Sequence, residues 1–588
     1  MEQMIEKLKS LPKPILIVVP LLVVLMLKIG LDQRDAANVI LRLMIVGGAT
    51  GCGFAIGWFF SPGAKPLRKI LLACLAGFAA LIVILNDGMM GWSTATLLAY
   101  AGFMLGLGYW MGNVARGFAV PPTTFGSARW ADLDYCQANY LVGTSGLRLG
   151  VFANENGTVP LHYDGGRHAL TVAPTRSGKG VSAIIPNLLT YEGSVLVIDP
   201  KGENAMVTRD ARCDMQQDVY VVDPWMITGS DVSRFNPLDW LELGDVDITE
   251  NAMLLADALV VADGKGEAFW LEESKALLQG VILFVATDED EQHHRHLGRV
   301  RDLLLLDGDG MKELFTRMLH SLHHVVTSTG ARCLQKEERL LANVVASAQA
   351  QTHFLDSTRI RESLSASDFK FEDLKTKKMS IYLVLPSDRL NAFNRWLRLL
   401  IQQAITVNAR NIELKPAKPV LFILDEMPAL GKLSSVEQAY ALMAGYGFQL
   451  WGIAQDLGQL KKVYGEDGYQ SLISNSGCIT YYGSRDKLSA EYFSALCGVT
   501  TVFNFSSAVS RAFGQTSSKD GLSSSSTSTH TDTTASAQRK LAYPDELMRL
   551  HGSKQIIFIE NHHPIVGIKR RWFDDPTLKT LGRNLHAQ

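Results

Sequence analysis

The stretch from His168 to Thr190, HALTVAPTRSGKGVSAIIPNLLT, constrains the chain most, because it permits one local order of structure: strand, tight loop, helix. Ala169 to Val172 is a short apolar run suited to a buried strand. Pro174 to Gly178 cannot continue as helix, and from Gly180 onward Val181, Ile184, Ile185, Leu188 and Leu189 recur on one helical face. That is the setting a phosphate-binding loop requires. Gly178 and Gly180 let the backbone approach a polyphosphate, the first helical turn presents unpaired N–H groups, and Lys179 adds a fixed positive charge. The candidate nucleotide-binding set is therefore Thr175, Arg176, Ser177, Gly178, Lys179, Gly180 and Val181, and the expected ligand is ATP or another nucleoside triphosphate. The match to G-x-x-x-x-G-K-[ST] is incomplete. Ala173 stands in place of the first glycine and Gly180 in place of the Mg²⁺-binding hydroxyl, so the loop alone also reads as an ordinary strand-to-helix turn.

A second stretch, VLFILDEMPAL, tips the balance towards a nucleotide. Val420 to Leu424 has the composition of a fully buried strand, and it ends in Asp425 and Glu426. Two carboxylates at a strand tip are costly to bury without a cation. In a nucleoside triphosphatase the first, Asp425, holds Mg²⁺ directly or through water, and the second, Glu426, orients or deprotonates the attacking water.

The N-terminal part reads as a membrane domain over residues 1–115, with about four helices. Ile15 to Leu27, Leu43 to Phe60, Ile70 to Leu85 and Ala95 to Gly112 are apolar and near bilayer-spanning length, and no small-x-small cleavage site follows the first. Lys7, Lys9 and Lys13, then Lys65, Arg68 and Lys69, then Arg116 and Arg129 predict a cytoplasmic N-terminus and a cytoplasmic nucleotide site. Lys28, Arg34 and Arg42 run against that orientation. Glycines recur at four-residue spacing as Gly47/Gly51, Gly53/Gly57, Gly102/Gly106 and Gly108/Gly112, which suits close helix packing either within one subunit or between subunits.

Beyond Pro121 the chain turns soluble. Gly193 to Asn204, GSVLVIDPKGEN, is a buried strand closed by a polar turn beside the expected nucleotide; Val219 to Asp223 and Ser380 to Leu385 are further strands, and so are Phe448 to Ala454, Cys478 to Tyr482 and Gln555 to Glu560. Strands alternating with helices predict an α/β fold with a parallel sheet. The nucleotide-binding domain is expected in two parts, 116–247 and 372–588, around an all-α domain at 248–371. Two His groups in that insert, His293/His294/His296 and His320/His323/His324, read as solvated surface or, less simply, as metal ligands. Ser506 to Ala537 is Ser/Thr-rich without apolar periodicity and is predicted to be a disordered loop over 506–537.

Composition excludes little. A chain of 588 residues with 47% hydrophobic and 20% charged residues has room for two to four domains, and a net charge of −2 says nothing against DNA if positive charge lines one channel. Seven cysteines, an odd number without a C-x-x-C pair, suit a reducing compartment and no zinc ribbon.

The stretches Gly126 to Ala131 (GSARWA), Ala173 to Val181 (APTRSGKGV), Ile198 to Glu203 (IDPKGE), Phe235 to Leu238 (FNPL), Leu424 to Met427 (LDEM) and Leu541 to Leu547 (LAYPDEL) together resemble the type IV secretion coupling proteins of conjugation. That family's loop runs T-R-x-G-K-G, so the departures at Ala173 and Gly180 agree with it. The resemblance implies a RecA-like P-loop NTPase core, ATP with Mg²⁺, and a membrane-anchored ATPase in the bacterial inner membrane, assembled as a homo-hexamer. It also implies as partners single-stranded DNA, a relaxase or other secreted protein substrate, and inner-membrane components of the secretion channel. By position and resemblance Gln455 is placed to orient water or sense the γ-phosphate, and Arg485 either reaches a neighbouring subunit's nucleotide or is a surface ion-pair residue. An all-helical insert of this size resembles the family's membrane-distal domain, which faces incoming substrate, or is a plain structural cap over the ATPase core. A receptor that recruits protein substrates, with ATP used only for gating, is the alternative; nothing in the chain resembles the paired signature of ATP-driven small-molecule transporters.

Overall fold

The structure is a computed structural model that describes residues 46–55, 57, 101–112, 123–154, 157–229, 231–261, 268–518 and 521–585, with backbone alone for 503–536. Thirteen strands run in chain order as β1 (Leu147–Asn154), β2 (Gly157–Tyr163), β3 (His168–Val172), β4 (Val195–Asp199), β5 (Asp218–Val222), β6 (Met379–Val384), β7 (Val420–Leu424), β8 (Phe448–Ala454), β9 (Ser476–Tyr481), β10 (Val499–Ser518), β11 (Gly521–Lys540), β12 (Lys554–Ile559) and β13 (Ile565–Ile568). Eleven of them form one sheet in the order β2-β1-β13-β12-β9-β3-β8-β7-β4-β6-β5.

From β9 to β5 every neighbouring pair is parallel; from β9 outward through β12, β13, β1 and β2 the pairs are antiparallel. The mixed sheet follows from side-chain pattern. The central parallel strands are apolar on both faces, and β3, β4, β6, β7, β8 and β9 are buried along their whole length. Alternate residues feed different cores: Leu196, Ile198, Phe422 and Leu424 join one, while Val195, Val197, Leu421 and Ile423 join the other.

Between β5 and β6 the described residues form helices and short turns without a strand, among them Ile248–Leu259, Ala268–Thr287, Gly308–Leu319, His324–Gln335 and Glu338–Thr352. Their apolar faces, including Leu255, Leu278, Val281 and Phe315, belong to the same core as β4 and β7, so this region is packed continuously onto one face of the sheet. His296 caps the helix Leu297–Leu304, accepting from the Arg299 N–H at 3.2 Å, and the His323 and His324 rings stack 5.1 Å apart.

The two ends of this α/β unit are interleaved. β1 pairs with β13 through Val151 and Ile568, and beyond β13 Trp572 and Leu578 pack on Ile185, Leu189 and Val207, behind the phosphate-loop helix. The nucleotide core is therefore closed by residues from near both termini of the unit.

A second compact unit comprises residues up to Ser127 together with Thr500–Arg539. Its helical segments at 46–55 and 101–112 approach closely: a Cβ at Gly53 or Gly57 would run into the backbone of Leu105 or Tyr109, and one at Gly108 into the Thr50 carbonyl. At these three glycines the close approach is within one chain, whereas Gly47, Gly51 and Gly102 have no such neighbour.

The predicted multi-pass, inner-membrane localisation is overturned. Among the described residues no helix is long and apolar enough to cross a membrane. The described helical segments at 46–55 and 101–112 fall inside the second and fourth apolar stretches. The first and third stretches, near Ile15 and Ile70, lie outside the described residues.

The described backbone of the Ser/Thr-rich stretch runs as a two-stranded ribbon of β10 and β11. Pairing lets the two runs satisfy each other's N–H and C=O groups without an apolar face, and Thr is a good strand former.

Candidate nucleotide site

Strand β3 ends at Val172, and the chain then turns through Ala173 to Lys179 before a tight π-helical turn, Gly180–Ile184, leads into helix Ile185–Leu188. Two residues hold the turn open. Arg176 has φ +62° and Gly178 φ +89°, a left-handed backbone that glycine takes without strain. Ser182 closes it from behind, its N–H and hydroxyl both donating to the Gly178 carbonyl at 2.9 and 2.7 Å. Ile184, Ile185, Leu188 and Leu189 are fully buried, as the helical periodicity predicts, and anchor the loop to the core.

In the sheet, β8 separates β3 from β7. Adjacent strands lie about 4.8 Å apart, so the tips of β3 and β7 are about 10 Å from each other, a gap one lysine side chain bridges. Lys179 does so, with Nζ 2.8 Å from Asp425 Oδ1 and 2.5 Å from Glu426 Oε1. Gln455, at the tip of β8 between them, donates from Nε2 to Glu426 Oε2 at 3.1 Å. All three strands are parallel, so these side chains converge at one end of the sheet, where open α/β sheets hold ligands.

These groups line a cavity of about 730 Å³. Of the sequence-predicted residues, Thr175, Arg176, Gly178, Lys179, Gly180, Val181, Asp425, Glu426 and Gln455 all face it. Ser177 and Arg485 do not: the Ser177 carbonyl is turned to Lys569, and Arg485 is exposed on the loop after β9. The cavity also contains residues to which the sequence reading gave no role. The turn after β4 contributes Asp199, Lys201, Glu203 and Asn204; the segment after β6 contributes Ser387 and Asn391; the helix after β8 contributes Gln459 and Lys462. The IDPKGE stretch signalled the first group; the others are brought in by strand order, which no local pattern reveals.

The electrostatics suit a polyanion with a divalent cation. Burial raises the Asp425 carboxyl above its ordinary value, opposed by Lys179 and reinforced by Glu426. Glu426 sits at φ +55°, ψ +41°, left-handed for a non-glycine residue, which aims its carboxylate across at Lys179 and Gln455. Mg²⁺ is ordinarily held by one or two carboxylates plus substrate phosphates, and Asp425 with Glu426 fits that pattern. Ser182, the nearest hydroxyl on the phosphate-loop helix beyond Gly180, is turned to Gly178 and Tyr482, so it does not stand in for the hydroxyl missing at position 180.

Asp199 is 1% exposed and accepts from the N–H groups of Lys201 and Ala205, which fixes the turn at the tip of β4. Burial pushes its pKa up to about 7, with Asp425 and Glu203 adding to the rise against those donors. A raised carboxyl stabilises the fold fully below its unfolded value and loses that contribution as pH rises through about 7. The nucleotide-free protein is therefore expected to show an unfolding midpoint that falls between about pH 4 and about pH 7 and levels off above that, a fall flattened in Asp199→Asn, when thermal melts are run across a pH series. An equal slope in both proteins would mean Asp199 is ionised throughout.

A phosphate loop on one strand, two carboxylates on the next strand but one and a glutamine between them form the constellation of the P-loop α/β proteins, and the mixed sheet fits a RecA-like core. Residues 132–587 match the family model described as Type IV secretory system Conjugative DNA transfer, and the chain belongs to that family of type IV secretion coupling proteins. It is 28% identical to the conjugal transfer protein TraG of Escherichia coli over 501 residues, covering 77% of each chain. It is 30% identical to protein VirD4 of Rhizobium radiobacter over 468 residues, covering 78% of this chain and 65% of that one. In fold it is similar to the plasmid coupling protein TrwB in complex with the non-hydrolysable ATP analogue ADPNP, with TM-score 0.56 and 16% identity over 77% of this chain and 95% of that one. TrwB in complex with ADP and Mg²⁺ gives TM-score 0.54, 16% identity and coverage of 76% and 94%.

Proposed function

We propose that this protein is an ATPase that delivers single-stranded DNA, with its attached relaxase, into a type IV secretion channel. The observation that carries the proposal is the convergence of Lys179, Asp425, Glu426 and Gln455 on one cavity, in a chain that belongs to the conjugative DNA-transfer family. TrwB, a fold relative, binds ADPNP, and in another structure ADP with Mg²⁺, which supports the same ligands here.

In this reading Lys179 and the N–H groups of Thr175 to Val181 bind the β- and γ-phosphates, and Asp425 holds Mg²⁺, which offsets the charge that builds on the phosphates. Glu426 accepts the proton of the attacking water and Gln455 orients it. Without nucleotide, Lys179 is paired with both carboxylates. Phosphate binding then draws the ammonium away and frees Glu426 to act as a base.

In the same reading Arg485, which is exposed and does not line its own cavity, serves the site of a neighbouring subunit in a homo-hexameric ring. Two measurements on the full chain test the proposal. Single-stranded DNA should raise ATP hydrolysis, whereas stimulation by a protein cargo alone would favour the receptor reading. Mixing Arg485→Ala with Lys179→Ala should restore part of the activity each has lost, because shared sites then contain one intact pocket and one intact arginine. No recovery in the mixture would leave Arg485 a surface residue.

A further inference from the structure

Strand β13 delivers a buried lysine to the underside of the phosphate loop. Lys569, just past Ile568, is 9% exposed and, among the described residues, forms no ion pair. Its ammonium donates to the Ser177 carbonyl at 3.2 Å and lies 4.5 Å from the centre of the Tyr482 ring. The Tyr482 hydroxyl is in turn 3.4 Å from Ser182 Oγ, which donates to the Gly178 carbonyl at 2.7 Å. Lys569, Tyr482 and Ser182 thus make a floor beneath the loop, on the side away from the cavity.

The floor acts through the peptide bond. A trans peptide is planar, with its C=O and N–H pointing in opposite directions. Drawing the Ser177 carbonyl down onto Lys569 turns the Gly178 N–H up, towards the cavity that Gly178 lines. Drawing the Gly178 carbonyl onto Ser182 does the same for the Lys179 N–H. We propose that Lys569 is a positioning residue for nucleotide binding: through the Ser177 carbonyl and the Tyr482–Ser182 contact it fixes two successive peptide planes with their N–H groups facing the phosphates. The inference rests on the nucleotide reading above and adds a residue from the far end of the chain to that site.

A structural role and a positioning role differ in what the nucleotide-free protein shows. A buried cation without a counter-charge is unfavourable to fold around, in keeping with a Lys569 pKa lowered by burial to about 8. Lys569→Met keeps the shape and removes the charge, so the full-length variant without nucleotide should unfold at the wild-type temperature or above. Its affinity for a fluorescent ADP should fall about tenfold, the worth of one charge-assisted hydrogen bond, with kcat at saturating ATP changed by less than about twofold. Lys569→Arg should restore binding. Should Lys569→Met not fold, Tyr482→Leu, which removes the ring under the ammonium, is expected to show the same loss of affinity.

Wild-type affinity in Lys569→Met would overturn the proposal. So would a loss of affinity matched by an equal loss of thermal stability without nucleotide that Lys569→Arg does not repair. Failure of the wild-type protein itself to bind fluorescent ADP would instead overturn the nucleotide reading.

Discussion

Replacing Lys179 with alanine is expected to lower ATP hydrolysis about a thousandfold or more, because the developing phosphate charge loses its fixed partner. The variant should also be less stable without nucleotide. Lys179 lies between Asp425 and Glu426, and the three side chains are 16, 12 and 24% exposed, so its removal leaves two like charges facing each other in a largely buried place. Breaking such a cluster costs about 3 kcal/mol. Part of that loss is relieved in acid: Asp425 already has a raised pKa, and without Lys179 it takes up a proton still more readily. The stability gap between variant and wild type should therefore narrow as pH falls through the folded Asp425 value, in thermal melts at neutral and acid pH beside a steady-state hydrolysis assay. Undiminished turnover would take Lys179 out of the phosphate site.

Glu426→Gln should separate binding from chemistry. Glutamine keeps the length of the side chain and tolerates the left-handed backbone at φ +55° no worse than glutamate does, so the cavity and its contact with Gln455 persist. What is lost is the proton acceptor, worth about a hundred- to ten-thousandfold in rate. Nucleotide affinity near wild type with hydrolysis slowed by that amount, read from equilibrium binding and single-turnover hydrolysis, is the expected result. If the variant binds no nucleotide, Glu426 rather than Asp425 holds the cation, and the roles assigned to the two carboxylates must be exchanged.

How much of this was legible in the sequence depended on range. The β3 strand, its loop and the apolar helix face were readable because the single stretch from His168 to Thr190 carries its own turn chemistry, and Asp425 and Glu426 were readable as the polar end of an otherwise apolar strand. The meeting of the two sites was not written in either. It depends on β8, which follows both in the chain yet lies between them in the sheet. The same strand order brings Gln459 and Lys462 into the cavity. Lys569 was invisible for a further reason: a single lysine after a short apolar strand reads as surface, and only the pairing of β13 with β1 and β12 carries it under the loop. The multi-pass reading rested on apolar runs in the sequence, whereas the described residues contain no helix long and apolar enough to cross a membrane.

The pairing of β1 with β13 and the packing of Trp572 and Leu578 behind the phosphate-loop helix have a consequence for the order of synthesis. A nascent chain that has reached Tyr482 already holds the phosphate loop, both carboxylates and Gln455, yet lacks the strand that supports the loop and the residues that cover Ile185 and Leu189. The helical region between β5 and β6 has local contacts and can form early. The support of the phosphate loop is completed last, when residues beyond Ile565 have emerged, so a partly made chain carries the loop without the strand and the apolar cover that hold it in place.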